Sequence, residues 1–203
     1  MKAEAIRAET DLSSAFAIAA LAAVAGRAVI EEFPEKSLQP DSVFPEILRA
    51  MGAGVKREGT SLIVEKAREL RAVEWNLLDC PDLFPVLATV CAQANGRSRL
   101  FGAPHLAHKE SSRIESTARL LRNLGTTFEA KPDGMEVEGG AIRLDAFDFD
   151  PEHDHRLAMA AAVAHAGGAN VRVLHPSVVD KSFPEFWQIL DRGLKPTIKR
   201  SPQ

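Results

Sequence analysis

The sequence predicts an α+β protein in which apolar helices lie inside and sheets wrap around the outside. It is built from three units of one design, the third incomplete. Three observations carry this. The chain repeats with a period of 72: Asp82 and Asp154, Gly96 and Gly168, and Lys109 and Lys181 are each 72 apart. Self-similarity at a fixed period marks a repeated supersecondary unit. The first helix of each unit is apolar nearly all round, as a helix enclosed by its neighbours must be. The strand segments alternate, which leaves a sheet one wet face.

The elements follow in order. Unit one offers a helix from Ser13 to Ala25, a strand from Arg27 to Glu32, a loop from Ser37 and a helix from Ser42 to Met51. Unit two offers an Ala-rich helix from Leu83 to Ala94, a strand from Ser98 to Phe101 and a charged loop. Its second helix is amphipathic, with Ile114, Ala118, Leu121 and Leu124 on one face. A hairpin then joins Thr126–Ala130 to Met135–Glu138 through Lys131-Pro132-Asp133-Gly134, residues suited to a turn. Unit three offers a helix from Leu157 to Ala166 and a strand from Asn170 to Leu174. Its hairpin belongs past residue 197, where only the basic, Pro-containing tail Lys195 to Arg200 remains. A strand or two must come from elsewhere, or an edge stays open to pairing. The units run over roughly 1–74, 75–146 and 147–203 of one domain.

Composition excludes several functions. With 203 residues, 45% hydrophobic and 26% charged, the chain has the make-up of a globular protein rather than a disordered one. A net charge of −3 with scattered basic residues argues against nucleic acid, which needs a concentrated basic face. The apolar run Ala15 to Ala25 is too short for a membrane span and follows no basic leader, so neither membrane anchoring nor a signal peptide is expected. Cys80 and Cys91 form neither a disulfide framework nor a metal spacing, and a cytoplasmic home follows. His105, His108, His153 and His155 match no common metal signature, so no metal is expected. His165, Cys91, Trp75 and Trp187 read as packing residues.

The charged loops carry the chemistry. Ser112 with Glu115, Ser182 with Glu185, and Asp79 with Asp82 resemble capping boxes. Lys109, Arg113, Arg156 and Lys181 therefore fall at or just before helix N-termini, where the dipole disfavours cations. Backbone N–H groups and cations converging there make a site for phosphate or carboxylate. Two carboxylates, Asp82 and Glu110, sit among these cations. In different surroundings such a pair divides base and acid duties. The plainer reading makes Asp82 part of a cap, Lys109 and Glu110 a solvated pair, and Arg113 and Arg156 partners of acids in neighbouring units.

Those loops also carry a resemblance. Asp79-Cys80-Pro81-Asp82-Leu83-Phe84-Pro85, Lys109-Glu110-Ser111-Ser112-Arg113, Asp154-His155-Arg156-Leu157-Ala158-Met159 and Lys181-Ser182-Phe183-Pro184 resemble, in order, the motifs of the EPSP synthase (3-phosphoshikimate 1-carboxyvinyltransferase) family. Asp11-Leu12-Ser13-Ser14-Ala15 and Ser37-Leu38-Gln39-Pro40-Asp41 resemble the opening motifs of its C-terminal domain. The resemblance implies half of an inside-out α/β barrel made of βαβαββ units. It implies enolpyruvyl transfer from phosphoenolpyruvate to the 5-hydroxyl of shikimate 3-phosphate, in the shikimate pathway, without a cofactor. By motif, Asp82 is the base that contacts the shikimate hydroxyls, and Glu110 is the acid that protonates the methylene carbon. Lys109 serves both shikimate 3-phosphate and the reacting centre. Arg113, Arg156 and Lys181 bind phosphoenolpyruvate, and His105 stands where an amide side chain often binds shikimate 3-phosphate. Ser112, Ala107 and Pro40 depart from the family's Asp, Arg and Gly. No N-terminal domain is matched, so the chain is expected to hold half a site and to be inactive without that domain. The alternatives are a non-catalytic anion-binding or regulatory module from the same domain, and a related transferase acting on a UDP-sugar.

Overall fold

A computed structural model describes residues 9–109, 112–193 and 199–200. The first group of elements is α1 (Leu12–Ala25), β1 (Arg27–Ile30), α2 (Phe44–Ala50), β2 (Gly54–Glu58) and β3 (Ser61–Glu65). The second is β4 (Glu74–Asn76), α3 (Phe84–Cys91), β5 (Gly96–Phe101), α4 (Arg113–Asn123), β6 (Thr127–Lys131) and β7 (Gly134–Gly139). The third is β8 (Phe147–Phe149), α5 (His155–Ala166), β9 (Val171–Val173), α6 (Phe186–Gly193) and β10 (Lys199–Arg200). Among the described residues only the second group shows all six elements of the βαβαββ pattern.

The three first helices form the interior. α1, α3 and α5 each touch the other two. All eight residues of α3 are buried, as are His155 to Ala164 of α5 and nearly all of α1. Alanine dominates α1 and α5, and its single methyl group lets helix axes approach closely while still removing apolar surface from water. The second helices lie outside them. α4 buries Ile114, Ala118, Leu120 and Leu121 and exposes Glu115, as its amphipathic pattern requires.

Each group closes with its own sheet. The first has order β1-β3-β2 and is antiparallel. The second has order β4-β5-β7-β6, with β4 and β5 parallel and the other pairs antiparallel. In it Met135 faces Leu100 and Ala130, and Val137 faces Ser98 and Phe128. Met135 and Val137 are buried while Glu138 is exposed, so the expected wet face is present. Gly139 ends β7 because the strand passes directly over the end of α3: a Cβ there would lie 2.2 Å from the carbonyl oxygens of both Ala94 and Cys91.

The third sheet, β8-β9-β10, is parallel throughout. Where only a tail is expected, Lys199–Arg200 forms a short strand along β9, with Arg200 paired to Asp191 at 2.6 Å and lying over the Trp187 ring. The rest of the expected tail, 194–198, lies outside the described residues.

Four short 3-10 turns among the described residues are the main local departure from expectation. They span Pro40–Val43, Pro81–Leu83, Pro104–His108 and Pro176–Lys181. Each begins with proline, whose fixed φ suits a helical first position and which has no N–H to leave unpaired. As a result α2 and α3 start at Phe44 and Phe84, later than the apolar pattern suggests. No described helix is long and apolar enough to cross a membrane.

Candidate active site

The expected capping boxes do not form among the described residues. Ser112 precedes α4 without a side-chain bond to the helix. Ser182 lies before α6 begins, and its hydroxyl points back to the Val179 carbonyl. Asp82 sits inside the Pro81–Leu83 turn and caps nothing. Its carboxylate is instead taken by cations, which bind an anion more strongly than a lone backbone N–H does. Among the described residues, Asp11 and Asp154 cap helix starts with their side chains. Asp11 accepts from the Ser13 and Ser14 amides and hydroxyls at the start of α1. Asp154 accepts from the Arg156 amide at 2.9 Å at the start of α5.

Asp82 is the hub of the site. Its Oδ1 receives Arg113 Nη1 at 2.6 Å and lies 3.3 Å from Lys109 Nζ, while Oδ2 receives Arg156 Nη2 at 2.9 Å. Burial raises the Asp82 carboxyl, but Arg156, Arg113 and Lys109 outweigh it and hold the group down at about 2. Arg113 also gives Nε to Asp154 Oδ2 at 2.9 Å. Arg113 and Asp154 are 1% and 0% exposed, so this pair is a buried strut between the second and third groups. Burial opposes the Arg113 charge, and the two carboxylates overcome it and raise its pKa. The expected pairing of Arg113 and Arg156 with acids of other units is therefore real, and it operates inside the cluster.

Lys181 makes no ion pair or hydrogen bond to Asp82 among the described residues. It ends the Pro176–Lys181 turn, as Lys109 follows the Pro104–His108 turn, so the residues 72 apart occupy like positions. Its Nζ donates to the His153 carbonyl at 2.9 Å. That carbonyl is presented by an unusual turn, in which Glu152 and His153 are both left-handed, with φ of 51° and 63°. Non-glycine residues adopt such angles at a cost of order 1 kcal/mol each. Glu152 is anchored by Arg119 and by the Ser116 hydroxyl, which hold the turn in place.

Of the other expected site residues, His105 stands half-exposed in the Pro104–His108 turn and has no bond to the cluster among the described residues. Glu110 lies outside the described residues. Among the described residues no group of His, Cys, Asp or Glu is arranged to hold a metal ion. Burial pushes Cys80 up to about 11 and Cys91 up to about 12, so both are inert thiols. His165 is half-buried with Nδ1 against the Ala169 carbonyl, and the Trp187 indole donates to the Pro176 carbonyl at 2.8 Å.

Two groups of the cluster are absent from the sequence-based site list: Asp154, which holds Arg113, and Asp41, in the Pro40–Val43 turn. The repeat points to the first, since Asp11, Asp82 and Asp154 recur at spacings of 71 and 72. Nothing periodic marks Asp41.

Helices packed inside, with sheets outside and arginines and lysines at the helix starts, define half of an inside-out α/β fold. The chain belongs to the EPSP synthase (3-phosphoshikimate 1-carboxyvinyltransferase) family, whose sequence profile matches residues 1–190. It is 40% identical over 185 residues to the 3-phosphoshikimate 1-carboxyvinyltransferase of Syntrophobacter fumaroxidans, covering 91% of this chain and 44% of the relative. It is 36% identical over 186 residues to that of Methanosphaerula palustris, with the same coverage. EPSP synthase from Acinetobacter baumannii superposes with a TM-score of 0.76 at 28% identity, over 92% of this chain and 46% of that one. The enolpyruvyl transferase NikO from Streptomyces tendae shares the fold, with a TM-score of 0.71 at 18% identity. The chain thus spans about half the length of the relatives it matches.

Proposed function

We propose that this chain supplies one wall of an enolpyruvyl-transferase site. It works with an EPSP synthase N-terminal domain to join phosphoenolpyruvate to the 5-hydroxyl of shikimate 3-phosphate. The observation that carries this reading is that one carboxylate, Asp82, is gripped by three cations, Lys109 before α4, Arg113 at its start and Arg156 at the start of α5. Such an arrangement holds positive charge ready for an anion and keeps a base ionised beside it. Arg156 and Lys109 bind phosphoenolpyruvate by exchanging Asp82 for the ligand, and by its motif Lys181 adds a further cation. Arg113 stays fixed by Asp154 and turns only its second contact toward the ligand. Loss of its cations to phosphoenolpyruvate raises the basicity of Asp82, so the base strengthens when substrate arrives. Asp82 then takes the 5-hydroxyl proton as that oxygen bonds C2 of phosphoenolpyruvate. By its motif, Glu110 delivers a proton to C3. Return of that proton and cleavage of the C2–O bond release phosphate. Positioned proton transfer of this kind contributes on the order of 10²–10⁴-fold.

The test is to combine the chain with a separately produced N-terminal domain of the family and measure phosphate release from the two substrates. Turnover is expected from the mixture and not from the chain alone. Asp82→Ala, Glu110→Ala and Lys181→Ala are each expected to abolish it while circular dichroism stays unchanged. A complex that forms and never turns over would leave a non-catalytic anion-binding module as the correct reading.

A further inference from the structure

The Lys181 ammonium is held by its hydrogen bond to the His153 carbonyl, 2.9 Å away. A lysine is otherwise a flexible stem ending in a hydrated charge. Where that carbonyl points is set by the left-handed Glu152–His153 pair, a conformation that residues other than glycine avoid. The pair is held from one face of α4. Ser116 and Arg119, three residues apart, take different oxygens of the Glu152 carboxylate: the Ser116 hydroxyl donates to Oε2, and Arg119 Nη1 donates to Oε1 at 2.5 Å. Arg119 Nη2 also donates to the Asp150 carbonyl, and Asp150 Oδ1 accepts from the Glu152 amide, both at 2.9 Å. Ser116 is 1% exposed, so this end of the bracket is fixed in the packing of α4. A continuous line of contacts therefore runs from α4 through the turn to Lys181.

We propose that Glu152 is a positioning residue for Lys181: clamped by Ser116 and Arg119, it fixes the turn whose His153 carbonyl aims the lysine at an incoming anion. Helix α4 thereby sets Lys181 against the Asp82 cluster, because Arg113 of the same helix holds Asp82 at 2.6 Å. The carbonyl uses one of the three ammonium protons and leaves two for a ligand. A lysine already ordered gives up less freedom when the anion arrives. The inference rests on Lys181 being an anion ligand, as the proposed function holds.

Glu152→Gln and Glu152→Ala separate positioning from charge. Both remove the same negative charge, which through space should favour an anion. Only Ala removes both anchor points, since the glutamine amide still accepts from Arg119 and donates to Ser116. The Glu152–Arg119 pair is solvent-exposed, so both variants should stay folded by circular dichroism. Sulfate, titrated calorimetrically into the whole chain near neutral pH, is the probe. Glu152→Ala should bind it roughly two- to twelvefold more weakly than Glu152→Gln, the cost of ordering one long side chain. On a Lys181→Met background the two should bind alike. Without ligand, carbon NMR should show the Lys181 Cε methylene more mobile in Glu152→Ala than in Glu152→Gln or wild type. Equal affinities for the two variants, a difference that survives Lys181→Met, or an unchanged Lys181 signal would overturn the inference and leave the proposed function standing. Sulfate binding that Lys181→Met does not weaken, or no binding by wild type, would overturn both.

Discussion

Replacing Arg113 by methionine tests the buried strut most directly. The substitution keeps an apolar side chain of similar length in the channel and removes the charge. Asp82 retains Arg156 and Lys109 and is 31% exposed, so it tolerates the loss. Asp154 has less relief: it is fully buried, with the Arg156 amide as a neutral donor in place of the lost guanidinium. Stranding one member of a buried ion pair typically costs about 3–5 kcal/mol. That is a large share of the ~5–15 kcal/mol that stabilises a domain. In a chain of this size it lowers Tm by roughly 6–20 °C. Urea unfolding followed by Trp75 and Trp187 fluorescence and by circular dichroism should show the midpoint moving down with an unchanged m-value. Arg119→Met supplies the contrast on the same helix. Its pair with Glu152 is solvent-exposed, and the loss should stay below about 1 kcal/mol. Adding Asp154→Asn to Arg113→Met should return much of the lost stability, because it removes the stranded charge. A loss below about 1 kcal/mol for Arg113→Met alone would refute the view that this pair holds two groups together.

Three further outcomes are expected. Gly139→Ala should destabilise the chain by about 3 kcal/mol in the same urea assay, since its Cβ meets two backbone carbonyls that cannot yield. Thr117→Val should raise stability by about 1 kcal/mol, because the Thr117 hydroxyl is buried without a hydrogen-bond partner among the described residues and valine has the same shape. The third concerns pH. Asp82 binds its proton near 2 when folded and near 3.8 when unfolded, so its contribution of about 2 kcal/mol is complete above pH 4 and disappears as pH falls from about 4 to 2. Asp41 runs the other way: burial and then the Asp82 charge push its carboxyl up to about 6, so the folded chain keeps the proton longer and stability falls as pH rises from about 4 to 6. Thermal melts across pH should show this second decline in wild type and not in Asp41→Asn.

Much of this was legible in the sequence because it was periodic. The apolar helices and alternating strands follow from side-chain patterning, and the repeat placed Asp82 and Lys109 level with Asp154 and Lys181. What escaped was local competition. Ser112 and Ser182 have the right type and spacing for capping, but the proline-led turns moved the helix starts away from Ser182 and Asp82. Three cations then outbid the backbone for the Asp82 carboxylate. Arg113 was legible as a cation near a helix start and illegible as a buried strut, because its partner Asp154 lies 41 residues away and meets it only through the packing of α4 against α5. Asp41 was hidden for the same reason: the charge of Asp82, on another segment, helps to raise its carboxyl.

The mutual contact of α1, α3 and α5 sets this chain apart from the repeat proteins its period brings to mind. In a linear array each repeat has at most two neighbours, the end repeats have one, and trimming an end leaves the other interfaces whole. Here the first and third helices also touch, so the series closes on itself and has no end. Deleting any one group removes two helix interfaces rather than one, and leaves a single interface where there were three. Groups joined this way unfold together, and a protein built from repeats behaves as one cooperative domain.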